Sequence, residues 1–262
     1  MSDDTRLAAT TARIPILAYH SIDGGASPMS MPAARFREHM QSLHDEGWRT
    51  LSLADLLNGH VLGAWPGRSV VLTFDDGIAN VGEHALPLLA RFGFSAILFA
   101  VSARLGGATD WPGWPSNVPT QRLLDAPALR DAADSGIEIG AHSVSHPRLS
   151  RLSPEAAERE IVDSQARLED VIGRPVRCFA YPFGDAPPSA TAVVERHFAA
   201  GFGIDLAYAS PRSRVSTFER IDAYYLRKRA RLTDLERSST RAWLAARAVL
   251  RRARRGSGYG QV

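Results

Sequence analysis

Short apolar runs alternate with amphipathic segments along most of the chain. The runs "IPILAY" (14–19), "SVVLTF" (69–74), "SAILFAV" (95–101), "IEIGA" (137–141) and "VRCFAY" (176–181) have the length and apolar character of buried strands. Between them the period changes to that of a helix. Phe36, Met40 and Leu43 share one face of a helix predicted over 32–48, with Pro32 at its start and Gly47 at its end. Ser52 is placed as the N-cap of a short helix over 52–60. Helices are also predicted over 80–93 and 120–136. The clearest runs over 153–175: Ser153 caps it, Pro154 takes the first turn, and Gly173 with Pro175 stops it. Beyond 181 the pattern weakens, with strands predicted near 203–209 and 219–225.

Strands alternating with helices imply βαβ units and a parallel sheet. About seven such strands in 262 residues, 45% of them hydrophobic, suit one α/β domain, a closed or nearly closed TIM-like (β/α) barrel. The boundaries drawn are an N-terminal tail over 1–12, the barrel over 13–232 and a basic amphipathic helix or tail over 233–262. In a barrel the chemistry sits at the C-terminal ends of the strands, so functional residues are expected just after the apolar runs.

Charge narrows the picture without deciding it. With 31 basic and 28 acidic residues the net charge is +3, which gives no nucleic-acid signature. The basic residues, nearly all Arg, crowd the C-terminal stretch. The helix written in "STRAWLAARAVLRRARRG" either docks on the barrel or makes peripheral contact with an anionic membrane. The single cysteine, Cys178, excludes an internal disulfide and a Cys-rich zinc site, and reads as a small buried hydrophobe. The start "MSDDTRLAATTAR" has no apolar signal region and no run is long enough for a membrane span, so a cytoplasmic, possibly membrane-peripheral location is the expectation.

The strand ends carry the chemistry. "VVLTFDDG" ends in Asp75 and Asp76, two adjacent carboxylates that repel unless a cation or proton separates them. Alone, the pair also reads as a turn with solvated acids. A phosphohydrolase with an aspartyl nucleophile would carry another Asp where Gly77 stands. "IEIGAHSVSHP" ends in His142 and His146, spaced so that two imidazoles can meet one ion from a loop. One carboxylate and two imidazoles form a facial site for zinc or a similar ion, leaving the other carboxylate free as a base. "VRCFAYPFGD" ends in a Pro/Gly turn that can aim a backbone N–H into the same place. "LAYH" (17–20) delivers His20 to the end of the first strand.

Phe-Asp-Asp-Gly, His-Ser-x-x-His and Tyr-Pro-Phe-Gly, in that order, resemble the polysaccharide deacetylases (NodB homology, carbohydrate esterase family 4). The resemblance spans roughly 13–225 and implies a distorted (β/α) barrel. It implies Asp75 as general base, Asp76, His142 and His146 as ligands of Zn2+ or another divalent transition metal, and the Phe183 N–H as oxyanion donor. The family's Leu-x-x-His motif, which carries the general acid, normally lies near the C-terminus. Here Leu17–His20 fits it at the N-terminus, as in the circularly permuted branch that resembles poly-N-acetylglucosamine deacetylases. Two features depart from the family. Ala180 stands where an Arg usually orients the base, with Arg220 as a replacement from another strand, and the family's Asp/Trp motif is not recognisable. The implied activity is hydrolysis of N-acetyl groups on an amino-sugar polymer, oligomer or lipid-linked glycan. Trp111 and Trp114, in the loop after "SAILFAV", either stack on sugar rings or pin that loop to the barrel, and Tyr181 is a further candidate substrate contact. Two alternatives stay open: the same site acting on another amide or an O-acetyl ester, and a carbohydrate-binding protein whose catalysis has lapsed with the missing Arg.

Overall fold

A computed structural model describes residues 10–25, 27, 29–227 and 234–256, with side chains to residue 252 of the last helix. Most of the tail drawn over 1–12, the chain around the boundary at 232, and residues 257–262 lie outside the described residues.

Seven parallel strands form a curled sheet: β1 (Ile16–Tyr19), β2 (Ser69–Phe74), β3 (Ile97–Ala100), β4 (Glu138–Ala141), β5 (Cys178–Ala180), β6 (Ala200–Phe202) and β7 (Ile221–Asp222). Their spatial order is β7-β1-β2-β3-β4-β5-β6. A short strand, Arg49–Thr50, pairs beside the start of β2, and Thr10–Thr11 pairs with Trp65–Pro66 apart from the main sheet.

Curling follows from which side chains alternate. Phe99 on β3 and Phe202 on β6 belong to strands that are not neighbours, yet their ring centroids are 5.2 Å apart. With Ile16, Val71, Cys178 and Phe218 they fill the concave side. The opposite faces of the strands, including Leu72, Leu98, Ile139 and Phe179, pack with helix residues such as Phe36, Leu89, Leu129 and Ile161 in a second buried layer. Gly140 permits the inner packing: a Cβ there would come within 2.5 Å of the Phe99 ring and 2.9 Å of the Cys178 sulfur. Cys178 is free and buried, and burial pushes its thiol pKa well up, as suits an inert core residue.

One irregular segment joins the two edges of the sheet. Phe218 donates its N–H to Gly201 (2.8 Å) and accepts from Gly203 (2.9 Å) beside β6. Three residues later, Ile221 and Asp222 pair with Leu17 and Ala18 of β1. The fold is thus a distorted (β/α) barrel in a single domain, closed on one side by residues 218–222.

The helices are α1 (Ala33–Asp45), α2 (Leu53–Leu62), α3 (Ala79–His84), α4 (Leu86–Phe92), α5 (Ala126–Asp134), α6 (Pro154–Ile172), α7 (Pro188–His197) and α8 (Ser238–Gly256). The cap at Ser52 is present as a reciprocal capping box with Asp55. Ser153 accepts from the Ala156 N–H at the start of α6, and Gly173 ends it in the left-handed conformation.

Four expectations need correction. The helix over 80–93 is two helices, split at Ala85, with Pro87 removing an N–H early in the second. The helix over 120–136 begins only at Ala126, capped by Asp125, because Arg122 and Leu123 bridge to Ala108 and Ile78 instead. The strand expected at 203–209 lies at 200–202, and α7 before it was not anticipated. The strand expected at 219–225 is only two residues long; Asp222 then accepts from the Tyr224 N–H and turns the chain into a 3-10 helix.

Candidate active site

Strand phase brings the predicted residues together. Asp75 continues the inward phase of Val71 and Thr73, His142 that of Gly140, and His20 that of Ile16 and Ala18. Because β1, β2 and β4 are parallel, all three reach the same end of the barrel. The loops bend sharply there. Five described non-glycine residues have positive φ, and four of them, Asp76, Ser143, His146 and Phe183, belong to this site. Such conformations cost energy and persist where the surroundings impose them, as functional sites do. Gly77, at φ +69, follows the carboxylate pair; a Cβ there would stand 3.5 Å from Ala100.

Asp75 is buried and bound by a fork. Arg220 Nη1 donates to its Oδ1 at 2.7 Å and Nη2 to its Oδ2 at 2.8 Å. Arg220 is itself 1% exposed. Its Nε donates to the Gly203 carbonyl (2.7 Å) and its Nη1 also reaches Thr73 Oγ1 (3.1 Å), whose hydroxyl donates to Leu17 O. Burial alone would raise the Asp75 pKa, but the charge and hydrogen bonds of Arg220 hold it below the usual carboxylate range. His20 Nε2 lies 3.8 Å from Asp75 Oδ2, at the half-buried rim. The guanidinium thus stands against Asp75, the expected base, although Ala180 holds the family's Arg position.

Asp76, His142 and His146 form a second cluster. Asp76 Oδ1 lies 3.4 Å from both His142 Nε2 and His146 Nε2, and the two nitrogens are 3.2 Å apart. All three residues are buried. His142 Nδ1 donates to the Ala180 carbonyl at 2.7 Å, which turns Nε2 into the cluster. Burial would raise the Asp76 pKa, but hydrogen bonds from His142 and His146 hold it far below the usual range. Burial disfavours charge on both imidazoles. For His142 the bond to Asp76 and the two carboxylates prevail and its pKa rises; for His146 the neighbouring His142 adds to burial and it falls.

These donors fit a divalent transition metal. Three ligand atoms each about 2.1 Å from one ion stand about 3.0–3.4 Å apart at right-angled to tetrahedral geometry, which is the spacing found. The other oxygen of the same carboxylate, Asp76 Oδ2, is buried with no hydrogen-bond partner, so the protein alone does not satisfy this group. Among the described residues this is the group of His, Cys, Asp and Glu able to hold a metal ion.

The third strand end carries Phe183, at φ 57 in its turn. Its ring meets His146 edge-on at 4.6 Å and lies under the Arg148 guanidinium at 4.4 Å. Of the candidate substrate contacts, two need correction. Tyr181 is 1% exposed and donates its hydroxyl to Ser216 O at 2.8 Å. It shares the outward phase of Phe179, so it faces the helix layer rather than the site. Trp111 is 2% exposed and packs against the His146 ring at 4.4 Å, with Ile78, Val101 and Leu123 around it. It backs the histidine and offers no open face to a sugar. Trp114 is half-buried, edge-on to Trp111, with its N–H donated to Val118 O.

Several residues of the site carry no sequence signal. Glu160, on α6, accepts from the Val144 and Ser145 N–H groups (2.9 Å each) and from the Ser145 hydroxyl (2.8 Å), fastening the loop between the two histidines. Asn80 accepts from the Ile22 N–H and donates to Ser21 Oγ, tying the chain after His20 to the helix after Asp76. Arg148 was also unforeseen.

A sequence profile described as polysaccharide deacetylase matches residues 63–199, just over half the chain. The chain belongs to the polysaccharide deacetylase family. The Bacillus subtilis protein YxkH is 29% identical over 70% of this chain, and the match spans 62% of YxkH, about three fifths of its length. The poly-beta-1,6-N-acetyl-D-glucosamine N-deacetylase of Staphylococcus epidermidis is 23% identical over 59% of this chain and 54% of its own. Among solved structures, the Streptococcus pyogenes deacetylase PplD in complex with acetate superposes with a TM-score of 0.70, at 22% identity, over 80% of this chain and 92% of that one. At that identity the likeness establishes the deacetylase fold. Asp75, Asp76, His142, His146 and Phe183 lie inside the stretch matched by the profile; His20 and Arg220 lie outside it.

Proposed function

We propose that the protein is a metal-dependent hydrolase that removes N-acetyl groups from an amino sugar, most simply an N-acetylglucosamine polymer. The observation that carries this reading is the single cluster in which a guanidinium-bound carboxylate, a nearby imidazole and a three-ligand metal site meet at one barrel end. Family membership and the activity named for the Staphylococcus epidermidis relative support the choice of substrate.

Asp76, His142 and His146 would hold the metal, through Oδ and the two Nε2 atoms. When bound, a divalent ion polarises the amide carbonyl and lowers the pKa of a coordinated water. Asp75 accepts the proton of the attacking water as the new C–O bond forms. Arg220 fixes both Asp75 oxygens, which orients the base and keeps it ionised. The Phe183 N–H stabilises the developing oxyanion. The C–N bond then breaks, and His20 gives the departing nitrogen its proton, without which an amide anion would be a very poor leaving group. The products are acetate and a free amine. Of the two loop tryptophans, Trp114 is the one that keeps exposed area for a sugar ring.

The reading of a lapsed, carbohydrate-binding protein was motivated by Ala180. The fork from Arg220 removes that motive, because the base has its guanidinium from another direction.

The test is acetate release from N-acetylglucosamine oligomers by the zinc-loaded protein, beside the metal-stripped protein. Release that needs the metal is the expected result. Tight zinc binding without acetate from these sugars would move the reading to another amide or an O-acetyl ester. Absence of stoichiometric metal at neutral pH would defeat it.

A further inference from the structure

Helix α8 has its apolar side in an unusual place. A surface helix normally turns its apolar stripe to the core and its polar side to water. The docked side of α8 is ordinary at first: Leu244 is 1% exposed and Trp243 meets Tyr225 edge-on at 6.1 Å. At about 100° per residue, the arc facing away from Leu244 carries Ala242, Ala245, Ala246, Val249 and Leu250. All five are exposed, Val249 by 66% and Leu250 by 53%. From residue 242 to 250 that outer arc holds no polar side chain. Arg247 borders it on one side and Arg252 on the other, both exposed. The helix contains no Asp or Glu between Ser238 and Gly256. No helix among the described residues, α8 included, is long and apolar enough to cross a membrane.

We infer that this outer face of α8 docks the protein on an anionic lipid bilayer. The occupant follows from the chemistry of the face. A bilayer interface offers an apolar layer beneath a sheet of negative charge, which matches an apolar arc with cationic borders. A second copy of this chain would cover the apolar arc, but it would bring the arginine borders together with no carboxylate on either helix to separate them. A nucleic acid would suit the arginines and leave Val249 and Leu250 in water. The inference stands independently of the proposed reaction, since none of these residues lies at the metal cluster.

The experiment is cosedimentation of the full chain with phosphatidylcholine vesicles, with and without phosphatidylglycerol, for the wild type and V249D/L250D. Both positions are exposed, so the variant should keep its melting temperature and circular dichroism. The expected result is binding to the anionic vesicles only, weakened by raised salt, and reduced about tenfold or more in the variant. Failure of the wild type to bind overturns the inference. So does equal binding to neutral vesicles, or undiminished binding by the variant. A dimer in sedimentation velocity that the substitutions abolish, without vesicle binding, assigns the face to self-association and overturns it as well.

Discussion

The two halves of the candidate site are built in opposite ways. In one, Asp75 and Arg220 satisfy each other: a buried carboxylate faces a buried guanidinium through two short bonds, and the remaining donors reach Gly203 and Thr73. In the other, Asp76, His142 and His146 turn like donor atoms toward one point and leave Asp76 Oδ2 without a partner. The first half is electrostatically complete in the protein alone. The second presents three side chains that could hold a cation. The halves also differ in origin. The metal half comes entirely from β2, β4 and their loops, within the stretch the family profile matches, whereas His20 and Arg220 come from β1 and the segment before β7. Those elements are neighbours in space because residues 218–222 join the sheet edges. Closing the barrel therefore bears on the chemistry: it carries the partner of Asp75 and the proposed acid to a centre encoded between them.

The contrast can be broken at several points. The largest effect is expected from His142→Ala. It should abolish stoichiometric zinc by metal analysis, remove the rise in melting temperature expected when zinc is added to the wild type, and lower acetate release by about 10³-fold or more, since several kcal/mol of stabilisation go with the ion. Next is Arg220→Met, which strands a buried carboxylate. It should lower unfolding free energy by about 3–5 kcal/mol, read by denaturant titration, while zinc binding persists. The double variant Asp75→Asn/Arg220→Met should recover part of that loss. If the double variant were no more stable than Arg220→Met, the fork would not be the source of the cost. A smaller effect belongs to Asp75→Asn alone, which should keep zinc and lose about 10²-fold in rate. Full activity with metal bound would remove Asp75 from the role of base.

What could be read beforehand follows from where each signal resides. The strands are legible because their runs are predominantly apolar, and the candidate metal ligands because the motifs that carry them, Asp75-Asp76 and His142 to His146, are each local in sequence. Arg220 could be named only through a gap, as the residue able to fill the role Ala180 leaves open. Its fork is a property of the closed barrel and of no local pattern. Tyr181 was misplaced although the rule was available: strand side chains alternate, and Ala180 already occupies the inward phase. For Trp111 the run "DWPGWP" leaves two readings open, a sugar contact or a pin for the loop, and its burial against His146 selects the pin. Helix α7 went unseen because "PSATAVVERH" mixes Ala with β-branched residues and no side chain caps its start.

Glu160 sharpens the contrast at its finest point, because it touches neither the metal donors nor the proposed substrate. Its carboxylate takes three hydrogen bonds from Val144 and Ser145, the residues that set the distance between His142 and His146. The loop also contains Ser143 and His146 at positive φ, so it is held in a conformation it would otherwise leave. Glu160→Gln keeps an acceptor oxygen for some of these bonds but loses the charge and turns an NH2 toward groups that donate. The metal half should suffer and the other half should not. Zinc affinity, measured by competition with a chelator, should fall about 10–100-fold, while acetate release at saturating zinc stays near the wild-type rate. If the rate at saturating zinc fell as far as the affinity, the loop would serve the reacting atoms directly, and the separation of the site into a self-satisfied half and a cation-dependent half would fail there first.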